Sequence, residues 1–483
     1  MSGVESNHRL VHLDLKGAPP RVEYYEQVFP LFKKWGATGL LMEYEDMFPY
    51  SGELEDIACS HAYRREAIDR ILQLADECGL IVIPLVQTYG HFEFVLKHEK
   101  FRSLREMPDY PMALCPCNPD SLVAVSMMID QVMELHPGIR WFHIGADEVY
   151  HIGMCERCRK KMATENITSQ QLFFTHMRAV LMRFKLKYPG VTAIMWDDML
   201  RMVDLPTLLE SGLGNLVEPM VWHYLTSFLL PPDLWDRLSK VFPNIWVASA
   251  FKGATGACMY ATNICYHRDN HLTWLSVMNR EKLKFQCIRG MAITGWQRYD
   301  HYAVLCELLP QALPCLAICL NIINKGIFTA DIHRDVSTQL RFLSVIPLNP
   351  FQGREVPPCE FPGSDVYCGM LEFVQLEVSF EEFMHSESRV TWMNQYNIQR
   401  NFISLLHIEP MIVQATGLLE NLTQLKSRLQ KSLSHIYFAD TVEEWLYVHL
   451  NPKIKRLSEI IESVQNHKIV GNKVKDLETS YIH

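Results

Sequence analysis

The sequence lacks the features that mark several other classes of protein. No stretch reaches the ~18 uninterrupted apolar residues of a membrane span, because polar residues and prolines interrupt the most apolar segment, residues 305–323. The N-terminal segment has no basic cluster followed by an apolar core and a cleavage site. A net charge of −9 without a basic stripe argues against nucleic acid as a partner. We therefore expect an intracellular protein that binds neither membranes nor nucleic acid.

Cysteine is too sparse for a disulfide scaffold. The chain has 14 cysteines in 483 residues, and several of them lie inside apolar runs. Free thiols in such surroundings behave as small hydrophobic side chains. Without an export signal the cysteines are expected to be reduced.

The dominant pattern in the chain is a short apolar strand followed by an amphipathic helix. Near-continuous apolar strands that alternate with helices predict a parallel sheet covered by helices. The eight predicted strands span residues 10–15, 39–44, 80–87, 140–145, 191–196, 216–224, 244–251 and 288–296, with a last helix near 303–323. Eight such units predict a TIM (β/α)8 barrel. A doubly wound open sheet is the alternative, but no glycine fingerprint follows the first strand.

The composition changes after residue 345. Residues 346–370 are rich in proline and glycine and are predicted to be a connector between a catalytic barrel, residues 1–345, and a helical region, residues 371–483. The C-terminal region has helical periodicity. Its apolar faces are expected to pack either on the barrel or on a second copy of the chain, which would form a homodimer.

Polar and aromatic side chains gather where the predicted strands end, and this is the edge at which TIM barrels carry their active sites. The side chains concerned are His12, Asp14, Lys16, Glu43, Gln87, His91, His143, Asp147, Glu148, Trp196, Trp222, Tyr224, Trp296, Arg298 and Asp300. A sugar ring stacks one apolar face on an aromatic ring and binds polar groups with its hydroxyls. Because Trp196, Trp222 and Trp296 come from three strands, they predict the walls of one sugar pocket, although each could instead be a core residue.

The adjacent carboxylates Asp147 and Glu148 end the fourth predicted strand. Gly145 and Ala146 keep the turn before them narrow, and the residues after them are largely apolar, so this is not a charged surface loop. Neighbouring strand residues point to opposite faces. Both acids can therefore reach one ligand only where the strand ends, and they would take different roles there.

These residues resemble a known family. His143-Ile-Gly-Ala-Asp147-Glu148 is similar to the His-x-Gly-Gly-Asp-Glu signature of the family 20 glycoside hydrolases, the β-N-acetylhexosaminidases. The likeness continues in Tyr89-Gly-His91 and in the tryptophans after the fifth, sixth and eighth strands, and it covers residues 10–325.

The resemblance implies an exo-acting, retaining glycosidase that releases terminal β-linked GalNAc or GlcNAc in the cytoplasm and nucleus. The sugar's own acetamido oxygen would attack the anomeric carbon, which is an exception to the two-carboxylate scheme. Glu148 would be the general acid and base, with a pKa raised toward neutrality. Asp147 would hold the acetamide N–H and stabilise the developing positive charge. The tryptophans would enclose the sugar, and His91 would support the acids. No cofactor or metal is implied.

Three positions depart from the family pattern. An arginine usually follows the first-strand aspartate, but here Asp14 is followed by Lys16. The seventh strand usually ends in a tyrosine that binds the acetamide oxygen, but this chain has Phe251 and Lys252 there. Tyr224 is the candidate substitute for that tyrosine. After Trp296 the acidic residue usual in the family is displaced as well, and Arg298 or Asp300 is expected to contact the outer hydroxyls. Asp14 is a further candidate for binding the substrate.

Two other functions are open to the sequence. A metal-dependent TIM-barrel hydrolase would use His151, Cys155 and Cys158, but these give only three ligands, and the spacing of Cys115 and Cys117 fits poorly as a source of the fourth. A non-catalytic sugar-binding or scaffold protein would be expected to have lost the acids, and Asp147 and Glu148 are intact.

Overall fold

Eight parallel strands close into a barrel in the computed structural model of the chain, which describes residues 8–352, 357–400 and 402–470. Two further short strands, β4 and β5, form an antiparallel hairpin outside the barrel. The strands are β1 His8–Asp14, β2 Gly39–Glu43, β3 Ile81–Leu85, β4 Arg105–Met107, β5 Tyr110–Leu114, β6 Trp141–His143, β7 Thr192–Trp196, β8 Val217–Trp222, β9 Asn244–Lys252 and β10 Cys287–Gly295. Each of the eight predicted strands corresponds to one barrel strand, so the predicted TIM barrel is confirmed.

Helices follow the strands and continue beyond the barrel. The barrel-associated helices are α1 Val22–Trp35, α2 Arg65–Glu77, α3 Glu93–Leu96, α4 Pro119–Leu135, α5 Glu156–Glu165, α6 Ser169–Lys187, α7 Leu205–Glu210, α8 Leu234–Val241, α9 Ile264–Glu281, α10 Leu309–Lys325 and α11 Ala330–Gln339. The C-terminal helices are α12 Ser364–Met384, α13 Glu387–Trp392, α14 Gln395–Gln399, α15 Leu405–Ser434, α16 Ala439–His449 and α17 Asn451–Val470. Part of the predicted connector, residues 353–356, lies outside the described residues.

The barrel is filled by large side chains that come from most of its strands. Leu41, Ile83, Ile194, Met220 and Trp246 are fully buried inside it. The apolar runs seen in the sequence arise because these inward residues alternate with residues that pack under the helices, so both faces of each strand are buried. The parallel register places Asp14 opposite Glu43, and Leu85 opposite His143. The carboxyl ends of the strands therefore meet at one rim.

The C-terminal helices share their core with the barrel. One continuous apolar cluster runs from Val11 on β1 through Leu316 on α10 to Leu425 on α15 and Leu457 on α17. Of the two packing arrangements expected for this region, packing on the barrel is the one observed in the described residues. No helix in these residues combines the length and apolar character required to cross a bilayer.

The last barrel helix begins later than predicted. The expected helix starts near residue 303, whereas α10 begins at Leu309. The preceding residues, 296–308, contain no helix or strand. They form the loop that carries Arg298 and Tyr299 to the rim.

Candidate active site

A left-handed turn after β6 carries the two adjacent acids. Gly145, Ala146 and Glu148 have φ angles of 61°, 70° and 48°, and a non-glycine residue in this region is strained unless its surroundings hold it there. The Ala146 N–H donates to Gln87 Oε1 at 3.0 Å, and the Glu148 N–H donates to Asp198 Oδ2 at 2.8 Å. Side chains from the loops after β3 and β7 thus fix the turn.

His91 joins the two carboxylates. Its Nε2 lies 3.0 Å from Glu148 Oε2 and 3.7 Å from Asp147 Oδ2. The Gln87 amide donates to Asp147 Oδ1 at 3.1 Å. The two acids therefore face one imidazole and have separate partners on their remaining sides.

The charges of Asp147, Glu148 and His91 shift the pKa of one another. Burial opposes the charged form of His91, but the carboxylates of Asp147 and Glu148 outweigh it and raise the pKa of His91 to about 10. Burial raises the pKa of Asp147, and the neighbouring Glu148 charge adds to this effect. The hydrogen bond from His91 lowers the pKa of Glu148, although burial partly opposes it. The structure thus does not show the raised pKa expected for Glu148, because the sequence does not reveal that an imidazolium touches this carboxylate.

The acids open into a cavity of about 230 Å³ at the rim of the barrel. Its lining consists of Lys16, Gln87, His91, Asp147, Glu148, Trp196, Trp222, Tyr224, Gly253, Ala254, Trp296, Arg298 and Tyr299. All three predicted tryptophans are in this wall, with the Trp196 and Trp296 rings 5.9 Å apart. Aromatic walls around a few polar groups are typical of a small-ligand site.

Hydrogen bonds hold the aromatic wall in place. The Trp296 indole N–H donates to Tyr224 Oη at 3.0 Å, and Tyr224 stacks on Trp222 with ring centres 5.1 Å apart. The Trp222 indole donates to Asp198 Oδ1 at 3.2 Å. Burial and the charge of Asp147 raise the pKa of Asp198 to about 7. Asp198 therefore links the tryptophan wall to the backbone of the acid-bearing turn.

Lys16 supplies a fixed positive charge at the opposite wall. Its Nζ lies 3.3 Å from Asp14 Oδ2 and 3.4 Å from Glu45 Oε1, and 5.4 Å from the centre of a Trp296 ring. Burial disfavours the ammonium, but the carboxylates of Asp14 and Glu45 outweigh it and raise the pKa of Lys16 well above its usual value. The lysine remains charged and faces the cavity.

Two predicted binding residues do not line the cavity. Asp14 is buried beneath Lys16, where its Oδ2 accepts the Gln297 N–H at 2.7 Å. Asp300 caps a turn by accepting the Tyr302 and Ala303 N–H groups at 2.7 and 2.9 Å. For these two residues the predicted contact with a ligand is corrected to a supporting role.

Five lining residues were not predicted as binding residues. The sequence places Gln87 and Lys16 at strand ends, as it does Asp14. Unlike Asp14, they line the cavity, and only the structure shows this difference. Gly253, Ala254 and Tyr299 come from loops without a periodic pattern, and no signal in the sequence identifies them. Arg298, in contrast, is in the wall as one of the two alternatives predicted after β10.

The cysteines considered as metal ligands lie apart from the cavity. Cys155 and Cys158 approach Cys115, with Sγ–Sγ distances of 3.5 and 3.6 Å. The expectation that the spacing of Cys115 fits poorly is therefore wrong, because the hairpin β4–β5 carries it to the pair. His151 stacks on Tyr110 instead, with ring centres 4.8 Å apart. None of these residues is in the cavity wall, so the geometry does not favour a metal-dependent hydrolase at this pocket.

The fold and the site define a class of carbohydrate-active enzyme. Residues 27–224 match the catalytic domain of glycosyl hydrolase family 20. A (β/α)8 barrel with two acids after a barrel strand and a tryptophan-walled cavity agrees with that match. The chain belongs to glycosyl hydrolase family 20 and is a glycosidase of the β-N-acetylhexosaminidase type.

Similar relatives place it within that family. It is 41% identical over 463 residues to Hexosaminidase D of Homo sapiens, with 94% of each chain covered. It is 48% identical over 340 residues to Hexosaminidase D of Bos taurus, with 70% of this chain and 98% of that protein covered. The crystal structure of a β-N-acetylhexosaminidase from Bacteroides fragilis shares the fold with a TM-score of 0.50 at 16% identity, over 69% of this chain and 70% of that one.

Proposed function

We propose that this protein removes terminal β-linked GalNAc or GlcNAc from glycoconjugates by a retaining mechanism in which the substrate's acetamido group is the nucleophile. One observation carries the proposal. Asp147 and Glu148 share His91 as a partner, and both line a cavity whose other walls include three tryptophans. The arrangement offers a stacking surface for the ring and two separate carboxylates for the acetamide and the leaving oxygen.

Asp147 is suited to hold the acetamido group. Gln87 and His91 fix its carboxylate, so it is oriented before a substrate arrives. It would accept the acetamide N–H, which turns the acetamido oxygen toward the anomeric carbon. As that oxygen forms its bond and the glycosidic bond breaks, positive charge develops on the acetamide, and the nearby carboxylate stabilises it. The Tyr224 hydroxyl would donate to the acetamide oxygen, since it lines the same cavity and accepts the Trp296 indole N–H, which leaves its own hydrogen to donate.

Glu148 is suited to move the proton. Before a substrate binds, His91 would hold the proton that it shares with Glu148, and the raised pKa of His91 and the lowered pKa of Glu148 support this. A sugar that fills the cavity removes water from Glu148, and such desolvation raises the pKa of a carboxyl. The proton then passes along the 3.0 Å hydrogen bond to Glu148 and on to the leaving oxygen. In the second step water attacks the anomeric carbon, the bond from that carbon to the acetamido oxygen breaks, and Glu148 takes the proton from the water.

Lys16 and Arg298 are suited to bind the outer hydroxyls. Both line the cavity, and Lys16 remains charged beside the carboxylates of Asp14 and Glu45. Lys16 would then replace the arginine that the family usually has after the first strand. The proposal includes both sugar epimers, and Lys16 and Arg298 are the side chains expected to bind the ring hydroxyl that distinguishes them.

Turnover of aryl glycosides tests the proposal. The full chain is incubated with 4-nitrophenyl β-GalNAc, β-GlcNAc and β-glucoside, and the first sugar released is followed by NMR. We expect release from the two acetamido sugars only, with the β-anomer appearing first. Equal turnover of the glucoside, or first release of the α-anomer, would contradict acetamide participation.

Three further properties are also proposed: a cytoplasmic and nuclear location, a homodimer, and no nucleic-acid partner. Localisation tests the first, light scattering the second, and binding measurements on the full chain the third.

A further inference from the structure

Four metal-ligating side chains converge outside the wall of the candidate active site. Glu106 on β4, Cys115 after β5, and Cys155 and Cys158 at the start of α5 place one ligand atom each within 4.8 Å of one another. Cys115 Sγ lies 3.5 Å from Cys155 Sγ and 3.6 Å from Cys158 Sγ, while Cys158 Sγ lies 3.1 Å from Glu106 Oε2. The four residues come from three separate segments of the chain. Their convergence is therefore a property of the fold.

The cluster is built from buried and oriented groups. Glu106, Cys115 and Cys158 are almost fully buried, at 1%, 0% and 0% exposure. Glu106 Oε1 accepts the N–H groups of Met154 and Cys155 at 2.6 and 2.9 Å, which aims its second oxygen at Cys158. The Cys158 N–H also donates to Cys155 Sγ at 3.4 Å. A buried carboxylate such as that of Glu106 is costly unless it is hydrogen-bonded and paired with a positive charge.

We propose that Glu106, Cys115, Cys155 and Cys158 bind one Zn²⁺ ion that has a structural role. Thiolates with a carboxylate or imidazole form the tetrahedral sites that zinc prefers, with Zn–S bonds of ~2.3 Å. Such bonds place two sulfurs of a tetrahedron about 3.8 Å apart, close to the separations around Cys115. A disulfide between Cys115 and Cys155 would leave the Cys158 thiol and the Glu106 carboxylate with only their mutual side-chain hydrogen bond inside the cluster.

The ion would connect the two loops that carry the catalytic groups. The segment from Val149 to Met154 links Glu148 directly to Cys155. The hairpin that carries Glu106 and Cys115 is bonded to the His91 loop, because the Phe92 N–H donates to Met112 O at 3.0 Å and the Leu114 N–H to Tyr89 O at 3.3 Å. One zinc ion would thus fix the hairpin against the segment after Glu148 without touching the substrate.

Glu106 is the assigned fourth ligand, and Cys117 is its competitor. Cys117 is a partly buried member of the same small cluster, but it lies outside the group of four ligand atoms that fall within 4.8 Å. If Glu106 is the fourth ligand, substitution of Glu106 should release the metal, and if Cys117 is the fourth ligand, substitution of Cys117 should do so. They can therefore be separated by substitution.

Metal analysis of the full-length protein tests the site. We expect about one zinc ion per chain by plasma mass spectrometry after purification without chelators, and complete release when a mercurial blocks the thiols. Cys155→Ser and Cys158→Ser should reduce zinc at least tenfold. Cys359→Ser is the matched control, because Cys359 contacts Cys368, at 3.6 Å, and is not one of the four proposed ligands. This variant should keep its zinc. A zinc-free protein after growth with added zinc, or unchanged zinc in the cluster variants, would overturn the proposal.

Further measurements keep the test decisive if a variant folds poorly. The wild-type protein loaded with Co²⁺ should show thiolate-to-metal charge-transfer absorption, and chelation of zinc should lower its Tm without any substitution. A disulfide between Cys115 and Cys155 in the freshly purified chain would exclude the site. Glu106→Gln should lose zinc while Cys117→Ser retains it, and the reverse result would overturn Glu106 as the fourth ligand.

Discussion

At the scale of single residues, two acids that are adjacent in the sequence differ in their surroundings and in their pKa. Asp147 and Glu148 are neighbours, but burial raises the pKa of the first, whereas the His91 hydrogen bond lowers the pKa of the second. The difference arises because Asp147 is buried against Gln87, while Glu148 lies at the mouth of the cavity beside an imidazolium. Substitution of each acid should therefore give a different kinetic result.

Leaving-group dependence distinguishes the two acids. Glu148→Gln should lower kcat/KM by about 10²–10⁴-fold for substrates with poor leaving groups, and by much less for dinitrophenyl glycosides, whose leaving oxygen needs no proton. Asp147→Asn should lose about 10²–10³-fold with both kinds of substrate, because charge on the acetamide develops in either case. A steady-state series of aryl glycosides measures this difference. Glu210→Gln, on an exposed helix end, is the control, and the same leaving-group slope in both acid variants would contradict the assigned roles.

His91 makes the folding stability depend on pH. Its pKa is about 10 in the folded protein and 6.5 as the reference value for the unfolded chain. Between these values the folded protein keeps a proton that the unfolded chain releases, so the stabilisation is complete below pH 6.5 and is lost as the pH rises toward 10. Urea unfolding across this range should show a steeper decline for wild type than for His91→Gln. The exposed His385→Gln variant should behave like wild type, and parallel curves for all three proteins would exclude the linkage.

At the scale of secondary-structure elements, the turn after β6 determines where the acids lie. Gly145 has a φ of 61°, and a Cβ at this position would lie 1.9 Å from Gln87 Oε1. Gln87 also holds Asp147, so any shift that relieves this clash moves the acid.

Gly145→Ala should consequently reduce kcat by about 10²-fold, the cost of displacing reacting groups by ~1 Å. Steady-state kinetics, with circular dichroism to verify folding, measures the effect. Gly190→Ala is the matched control, because a Cβ there meets nothing within 4 Å. Wild-type kcat in Gly145→Ala would show that the turn tolerates the change.

The barrel strands were predictable because their burial on both faces leaves near-continuous apolar runs. The acids and tryptophans were predictable because the carboxyl ends of all barrel strands meet at one rim.

The hairpin β4–β5 was not predictable from the sequence, since Arg105–Leu114 contains charges and prolines and has no alternation of apolar and polar residues. The spacing of Cys115 was therefore judged a poor fit to Cys155 and Cys158, and Glu106 was not considered, because both residues reach that pair only through the hairpin. Asp14 and Asp300 differ from Lys16 and Arg298 in the direction of their side chains, which periodicity does not specify.

At the scale of the whole molecule, the C-terminal helices reach the rim of the cavity. Arg298 in the cavity wall donates to Glu444 of α16 at 2.7 Å, and to Ala303 O at 2.8 Å. The second oxygen of Glu444 accepts the Leu305 N–H at 3.2 Å. Thr441 Oγ1, also on α16, donates to Gly17 O at 2.8 Å. The loops after β1 and β10 are thus held by one C-terminal helix.

Glu444→Gln should weaken substrate binding more than it slows the chemistry. It replaces a partly buried ion pair of Arg298 with a neutral hydrogen bond, a loss of ~1 kcal/mol that would raise KM about fivefold while kcat changes little. Steady-state kinetics measures this split, and Glu443→Gln, which is exposed on the same helix, is the control. An unchanged KM in Glu444→Gln would mean that Arg298 keeps its position without this partner.

The contact between Arg298 and Glu444 also couples ligand occupancy to the C-terminal helices through thermodynamic linkage. An inhibitor that binds better when Arg298 is ordered must stabilise α16 by the same free energy with which α16 favours the inhibitor. Amide hydrogens of α16 should therefore exchange more slowly in the inhibited protein, and those of α13 should not change. The helices beyond the barrel would then report, at a distance from the acids, whether a sugar is bound.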